Sequence, residues 1–307
     1  MDKKQNKALF SSELMISFSI ALFFIGGELL DVGIGIAAET YSSGIAFIIA
    51  CLALSAAAPA ARAVFGAAHI SEIKSILRRI TFIVFGILSV AAALFVALDT
   101  AKDFSDFAAK VMFLRAPASP IGILFILFSA FLASRGERTV KKFAMISLIA
   151  VLLSAVLLIL LSLPTLDFHN LSFDVDATPN PNAVADIFVS KFASICVALV
   201  YFGHECDAKK GYHLTSRAAL IGVLLGGAIL TVCYANVTLL LGGTLANSEE
   251  FPYSVAVSAV SAGKLFMRME GLSYVMYFLS MSVRAAICIG TIISVLKCIL
   301  PRLKKQS

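Results

Sequence analysis

The residues of this sequence that could do chemistry lie inside long apolar runs. Phe24-Ile25-Gly26-Gly27-Glu28 places two adjacent glycines and a carboxylate within the first run, and Phe202-Gly203-His204-Glu205 places a similar group near the end of the sixth. Adjacent glycines weaken a helix and let another backbone approach. In a bilayer, non-helical backbone survives only where it lines a cavity or is buried in protein. Interrupted helices at corresponding positions of two halves of a chain therefore point to a transporter-type binding site. Amides freed at such breaks hold a carboxylate, and freed carbonyls hold an ammonium. The candidate solute-contacting residues are Phe24, Gly26, Gly27, Glu28, Phe202 and Gly203. A second reading stays open: Gly26 and Gly27 simply permit close helix packing, as small residues do in membranes.

Ionisable groups within apolar runs cost on the order of 2.5–3.5 kcal/mol each at a helix centre, which makes them functional candidates. Glu28 follows the glycine pair and is placed to meet a substrate ammonium, to carry a proton, or to form a structural ion pair. His204 and Glu205 read either as a proton relay near neutral pH or as a hydrogen-bonded helix cap. Arg284, midway along the eighth run, calls for a carboxylate partner, with Glu28 and Glu205 at hand. These four are the candidates for proton or ion coupling. Lys191 reads as a side chain snorkelling to the interface.

The elements that must position these groups follow from composition. Of 307 residues, 60% are hydrophobic and 14% charged, with a mean hydropathy of +0.94. A soluble chain carries about 25% charged residues, and one soluble core stops growing near roughly 250–300 residues. This excludes a disordered or ordinary soluble protein and indicates an all-α integral membrane protein. Eight runs read as transmembrane helices: Leu14–Ala38, Ile45–Val64, Ile80–Leu98, Ile121–Ala133, Phe143–Leu163, Ala183–Glu205, Ala218–Leu241 and Leu272–Leu300. With the N-terminus cytoplasmic, 18 of the 25 Lys and Arg fall on the cytoplasmic side and 5 on the other, leaving Lys191 and Arg284 within runs. This bias places both termini in the cytoplasm and makes the net charge of +6 an orientation signal rather than a nucleic-acid signal. The Met1–Phe10 segment is too polar, and its neighbour too long, for a cleavable signal peptide.

Two connections carry patterns of their own. Asp103–Leu114 puts Phe104, Phe107, Val111 and Leu114 on one stripe, which predicts an amphipathic helix at the interface. Tyr253–Met267 reads as a re-entrant or capping helix. Pro164–Asn182, free of Lys and Arg, is the boundary between two halves, 1–165 and 166–307. The six Cys fall singly, in no disulfide or metal-ligand spacing. No phosphate-cradling loop, zinc pair or Ser/His/Asp arrangement is present, so no enzyme, metal or cofactor is expected. Asn170-Leu171-Ser172 matches a glycosylation sequon.

The order of these features resembles the amino acid–polyamine–organocation transporter superfamily, and within it the spore-germination permeases, the B subunits of germinant receptors. Ser12-Glu13-Leu14 through Gly26-Gly27-Glu28-Leu29-Leu30 resembles the family's first-helix segment. Phe107-Ala108-Ala109, Pro117-Ala118-Ser119-Pro120 and Ala133-Ser134-Arg135-Gly136-Glu137-Arg138 look like its passage from the third helix to the fourth. Phe202-Gly203-His204-Glu205 is similar to its sixth-helix segment. Glu250-Phe251-Pro252-Tyr253 and Met267-Arg268-Met269-Glu270-Gly271-Leu272 are similar to its signatures before helix eight. Ser282-Val283-Arg284 lies where the family often has Lys.

The resemblance implies a five-plus-five inverted-repeat (LeuT-like) fold with helices one and six broken around the substrate. Here it would be a truncated version, with a first repeat over 1–165 and an incomplete second over 166–307. It implies a germinant receptor subunit in the bacterial spore inner membrane that binds a small amino acid or similar solute beside other receptor subunits. The alternatives are a proton-coupled secondary amino-acid transporter and a degenerate, non-transporting membrane scaffold.

Overall fold

The computed structural model describes residues 3–29, 76–113, 116–167, 170, 194, 196–202, 216–242, 245–246, 249–260 and 270–299. Among these the chain is helical, with no strand. Seven helices are used here: α1 (Lys3–Glu28), α2 (Ile76–Phe107), α3 (Ala118–Ser134), α4 (Glu137–Ser162), α5 (Ser216–Leu241), α6 (Pro252–Ala259) and α7 (Glu270–Ile299). A helical stretch over 196–202 represents the sixth run. The second run, Ile45–Val64, lies outside the described residues.

Among the described residues four stretches are long and apolar enough to cross a bilayer: Ile83–Met112, Glu137–Thr165, Arg217–Leu241 and Glu270–Lys297. Glu13–Gly27 and Ala118–Ser134 are shorter apolar helices. The outward faces agree with that reading. Phe85, Leu88 and Phe95 on α2, Leu124 and Leu127 on α3, and Ile146 and Leu153 on α4 are exposed, Phe95 to 71%. A soluble monomer does not expose contiguous apolar faces of this extent, whereas lipid tails solvate them. The chain is thus a multi-pass helical membrane protein.

The helix α7 is the hub, packed against α1, α2, α3, α4 and α6. Its apolar stretch is 67% buried, against 28% for that of α2. Its sequence explains why. Ser273, Ser280, Ser282, Ala285, Ala286, Gly290 and Thr291 are small and let neighbours approach. Ser280 Oγ and Thr291 Oγ1 donate to Met276 and Ile287 carbonyls one turn back at 2.6 and 2.9 Å, so burying their hydroxyls leaves no donor unmet.

The helix α1 lies between α5 and α7, with a different stripe on each. Ser17, Ile20, Ala21 and Phe24, spaced as one helical face, meet α5. There Gly222 and Gly226 form a small-xxx-small pair: a Cβ at Gly222 would lie 2.6 Å from the Ser17 carbonyl, and one at Gly226 2.9 Å from that of Ala21. Ser17 Oγ donates to the Ala218 carbonyl at 2.9 Å. Contacts rise together along both chains, so α1 and α5 are parallel. Phe107 meets Tyr274 and Phe104 meets Phe278, so α2 and α7 are antiparallel. These directions are those required if successive runs alternate across the bilayer.

One connection differs from expectation. Over 103–113 the stripe expected of Asp103–Leu114 is not a separate interfacial helix, and Leu114 lies outside the described residues. The stripe continues α2 through a π-helical turn, Ala108–Met112, closed by the Phe113 amide on the Ala108 carbonyl at 2.8 Å. Phe104 stacks on Phe125 at 4.5 Å and Phe107 lies 4.4 Å from Tyr277. Ring partners on α3 and α7 thus claim the apolar stripe for the protein interior. The sequon residue Asn170 caps α5: its Nδ2 donates to the Leu239 carbonyl at 3.1 Å beside Gly242, whose φ of +76° favours glycine. Gly136, at φ +89°, makes the tight joint between α3 and α4. Of the expected capping helix Tyr253–Met267, α6 covers the first part and 261–269 lies outside the described residues.

Gly222→Ala is expected to lower the thermal stability of the detergent-solubilised protein by about 1–3 kcal/mol through overpacking. Gly271→Ala, whose Cβ would meet nothing within 4 Å, is expected to leave it unchanged or slightly raised. Equal melting temperatures for the two variants would contradict the α1–α5 contact.

Candidate functional site

The sequence singled out the glycine pair of α1 and the arginine of α7, and the two meet. The helix α1 stays helical through Gly26 and Gly27, and its regular structure ends at Glu28, with the Leu29 amide bonded to the Ile25 carbonyl at 2.9 Å. The glycines are therefore inside the last turn of α1 rather than a break ahead of it. Their stripe, with Phe23 at i−3 and i−4, faces α7. A Cβ at Gly26 would lie 2.5 Å from the Ser280 carbonyl oxygen, so there the two backbones touch. For Gly26 this is the close-packing reading.

Gly27 has a different occupant. A Cβ there would lie 1.4 Å from Arg284 Nη1 and 2.4 Å from its Cζ. The guanidinium fills the volume that any other residue at 27 would claim. Arg284 is only 8% exposed. Its Nη2 donates to Ser194 Oγ at a long 3.4 Å, and its Cζ lies 5.6 Å from the centre of the Phe23 ring, within cation–π range. The last turn of a helix also carries partial negative charge on its free carbonyls, and Gly27 belongs to the last turn of α1. Nε of Arg284 is buried with no hydrogen-bond partner. Among the described residues no carboxylate pairs with this guanidinium; the ion pairs found there are Lys110–Glu250 and Lys141–Glu137.

An arginine does not lose its proton in a protein. Among the described residues the guanidinium is held by one long hydroxyl contact and one ring face, which leaves donor capacity over. A carboxylate, planar and bidentate, is the group that such a fork matches best. The arrangement can thus take an anion.

The other sequence candidates fall as follows. Phe24 is buried but points to α5, where a Cβ at Gly226 would lie 3.3 Å from its ring; Phe23 is the residue that faces Arg284. Phe202 is buried at the C-terminal end of the 196–202 stretch, beneath the ammonium of Lys141. The Glu28 side chain, Gly203, His204, Glu205 and Lys191 lie outside the described residues. Ser194 and Phe23 were not singled out from the sequence. The 3.6-residue period from Gly27 back to Phe23 carries the signal for Phe23; a lone serine within an apolar run carries none.

A separate cleft of about 230 Å³ opens between α4, α5 and α6, lined by Leu158, Ser162, Asn236, Leu240, Tyr253 and Val257 among others. Its polar edge is already engaged, since Ser162 Oγ donates to Asn236 Oδ1 at 3.1 Å. It holds no charged group.

No family model matches the chain, and no curated protein matches it.

Gly27→Ala is expected to destabilise the protein by about 1–3 kcal/mol, because the guanidinium has to leave its seat. In an Arg284→Ala background the same change should cost much less, a coupling of about 0.5–3 kcal/mol in a double-mutant cycle of thermal or denaturant unfolding. Additive effects would mean that the two residues do not share this space.

Proposed function

We propose that the chain is the permease-like membrane subunit of a spore germinant receptor, and that it binds a small amino acid or related solute through Arg284. The single observation that carries this reading is a buried guanidinium, seated over Gly27, whose Nε has no partner among the described residues. A charge left incompletely satisfied inside a membrane protein is expensive and marks solute or ion pathways. A solute carboxylate supplies the missing acceptor and the missing charge together. The order of motifs that resembles the germination permeases supports the same reading, as does the placing of the seat where α1 ends. On this reading the architecture is the five-plus-five inverted repeat. The membrane is the spore inner membrane, with both termini cytoplasmic, and other receptor subunits receive the conformational signal.

The test is a ligand-dependent thermal shift of the purified protein in lipid nanodiscs against a panel of amino acids and their amino-alcohol analogues, which lack the carboxylate. At least one amino acid should stabilise the protein, by about 2.7 kcal/mol at a hundredfold excess over Kd. Its amino alcohol should not. Arg284→Gln should abolish the shift and Arg284→Lys should retain part of it. No shift with any amino acid, or an equal shift in Arg284→Gln, overturns the proposal.

A further inference from the structure

The helical stretch 196–202, with Ser194 before it, is held from two sides. Along α7, Arg284 reaches Ser194, Thr291 Oγ1 donates to the Val197 carbonyl at 3.4 Å, and the Tyr201 ring fills the notch at Gly290, where a Cβ would lie 2.5 Å from Cε2. From Ser194 to Tyr201 the partners on α7 move from Arg284 to Gly290 and Thr291, so the two segments run in the same direction. At the C-terminal end the hold passes to a different helix. Lys141 of α4 forms an ion pair with Glu137 one turn earlier and lies 5.6 Å from the centre of the Phe202 ring. The Lys141 and Glu137 side chains are only 11% and 10% exposed. An i,i+4 pair on a solvated helix surface contributes a few tenths of a kcal/mol and needs no burial. This one is buried against an aromatic face, a setting in which removing either partner is costly.

We propose that Lys141 is a positioning residue: Glu137 fixes its ammonium against Phe202, and this contact latches the C-terminal end of the 196–202 stretch onto α4. The stretch then has two charged pins, Arg284 at one end and Lys141 at the other. With about 1.5 Å of rise per residue, they are roughly 12 Å apart along it. The pins differ in what can release them. The Arg284 pin shares its guanidinium with the anion seat, so a carboxylate arriving there competes with Ser194. The Lys141 pin does not touch the seat and holds whether or not a solute is present. Solute binding therefore loosens one end of the stretch while the other stays docked, so the stretch pivots on Phe202 rather than leaving the bundle. This pivot rests on the solute-binding reading given above; the latch itself does not.

The chain has no Trp, so Phe202→Trp installs a single reporter that keeps an aromatic face for the ammonium, the indole being the best acceptor for a cation. In the solute-free Phe202→Trp protein the emission should be that of a buried indole, with weak acrylamide quenching. Adding Lys141→Ala should shift emission to the red and raise quenching. The docked-to-undocked ratio should fall by about 2- to 30-fold, the range that a cation–π contact spans from exposed to desolvated settings. Lys141→Arg, which keeps a cation over the ring, should restore the parent spectrum, and Glu137→Gln should give an intermediate one. Size-exclusion behaviour in detergent checks that each variant is folded; Lys141→Met, which keeps the length of the side chain without its charge, replaces Lys141→Ala if the latter aggregates. Identical emission and quenching with and without the cation overturn the latch. If adding an amino acid moves the emission of Phe202→Trp, the pivot fails while the latch stands; if no amino acid raises the melting temperature of the Phe202→Trp protein, the solute-binding reading fails and the latch still stands.

Discussion

The guanidinium of Arg284 over Gly27 is the contact on which the rest of this structure depends. A permanent positive charge inside an apolar bundle needs partners, and the volume it occupies has to be left open by the helix opposite. Only glycine leaves that volume, since even the first carbon of a side chain at 27 would overlap the guanidinium. Gly26 then brings the α1 and α7 backbones into contact at Ser280. These two glycines fix the rotation of α1, and with it the face that α1 turns to α5. There Gly222 and Gly226 repeat the device with neutral groups. One charged seat thus sets the order of three helices.

The centre of the bundle is built differently from its rim. The helix α7 has small residues, and the hydroxyls of Ser280 and Thr291 satisfy themselves on its own carbonyls, so neighbours dock on it closely. Towards one end, aromatic residues of α2 and α3 take over, with Phe104, Phe125 and Phe278 packed ring to ring. Lys110 and Glu250 form an ion pair there between the π-helical turn and the segment before α6. Its partners are 52% and 59% exposed, so it contributes little to stability. Among the described residues the buried charges, Arg284 and Lys141 with its partner Glu137, by contrast lie at the two ends of the 194–202 segment.

Much of this was legible in the sequence, because bilayer physics makes hydropathy a strong signal. Runs seven and eight correspond to α5 and α7 with ends within two residues, and runs three and five to α2 and α4 with ends shifted by up to nine. The importance of Gly26, Gly27 and Arg284 was also visible, since glycine pairs and buried charges are rare in such runs. Their relation was not. The sequence suggested that the glycines free the backbone, whereas they make room for another helix and its guanidinium. Backbone approach and backbone release both need glycine, and one chain read alone does not distinguish them. The 103–114 stripe was misplaced for a similar reason: an apolar face reads the same whether lipid or a row of rings covers it. Phe23 was passed over for Phe24 because neighbours along a helix point some 100° apart, and only the partner helix shows which one is used.

The most direct measurement is arginine side-chain NMR on protein with 15N-labelled arginine in nanodiscs, with Arg284 assigned by its loss in Arg284→Lys. Arg135 and Arg138 are exposed, so their Nε–H groups should exchange rapidly with water. Arg284 should show one slowly exchanging Nε–H resonance that moves downfield when a carboxylate solute binds. If Arg284 exchanges as fast as the others, or its resonance ignores every carboxylate offered, the guanidinium is not seated over Gly27 with a donor to spare.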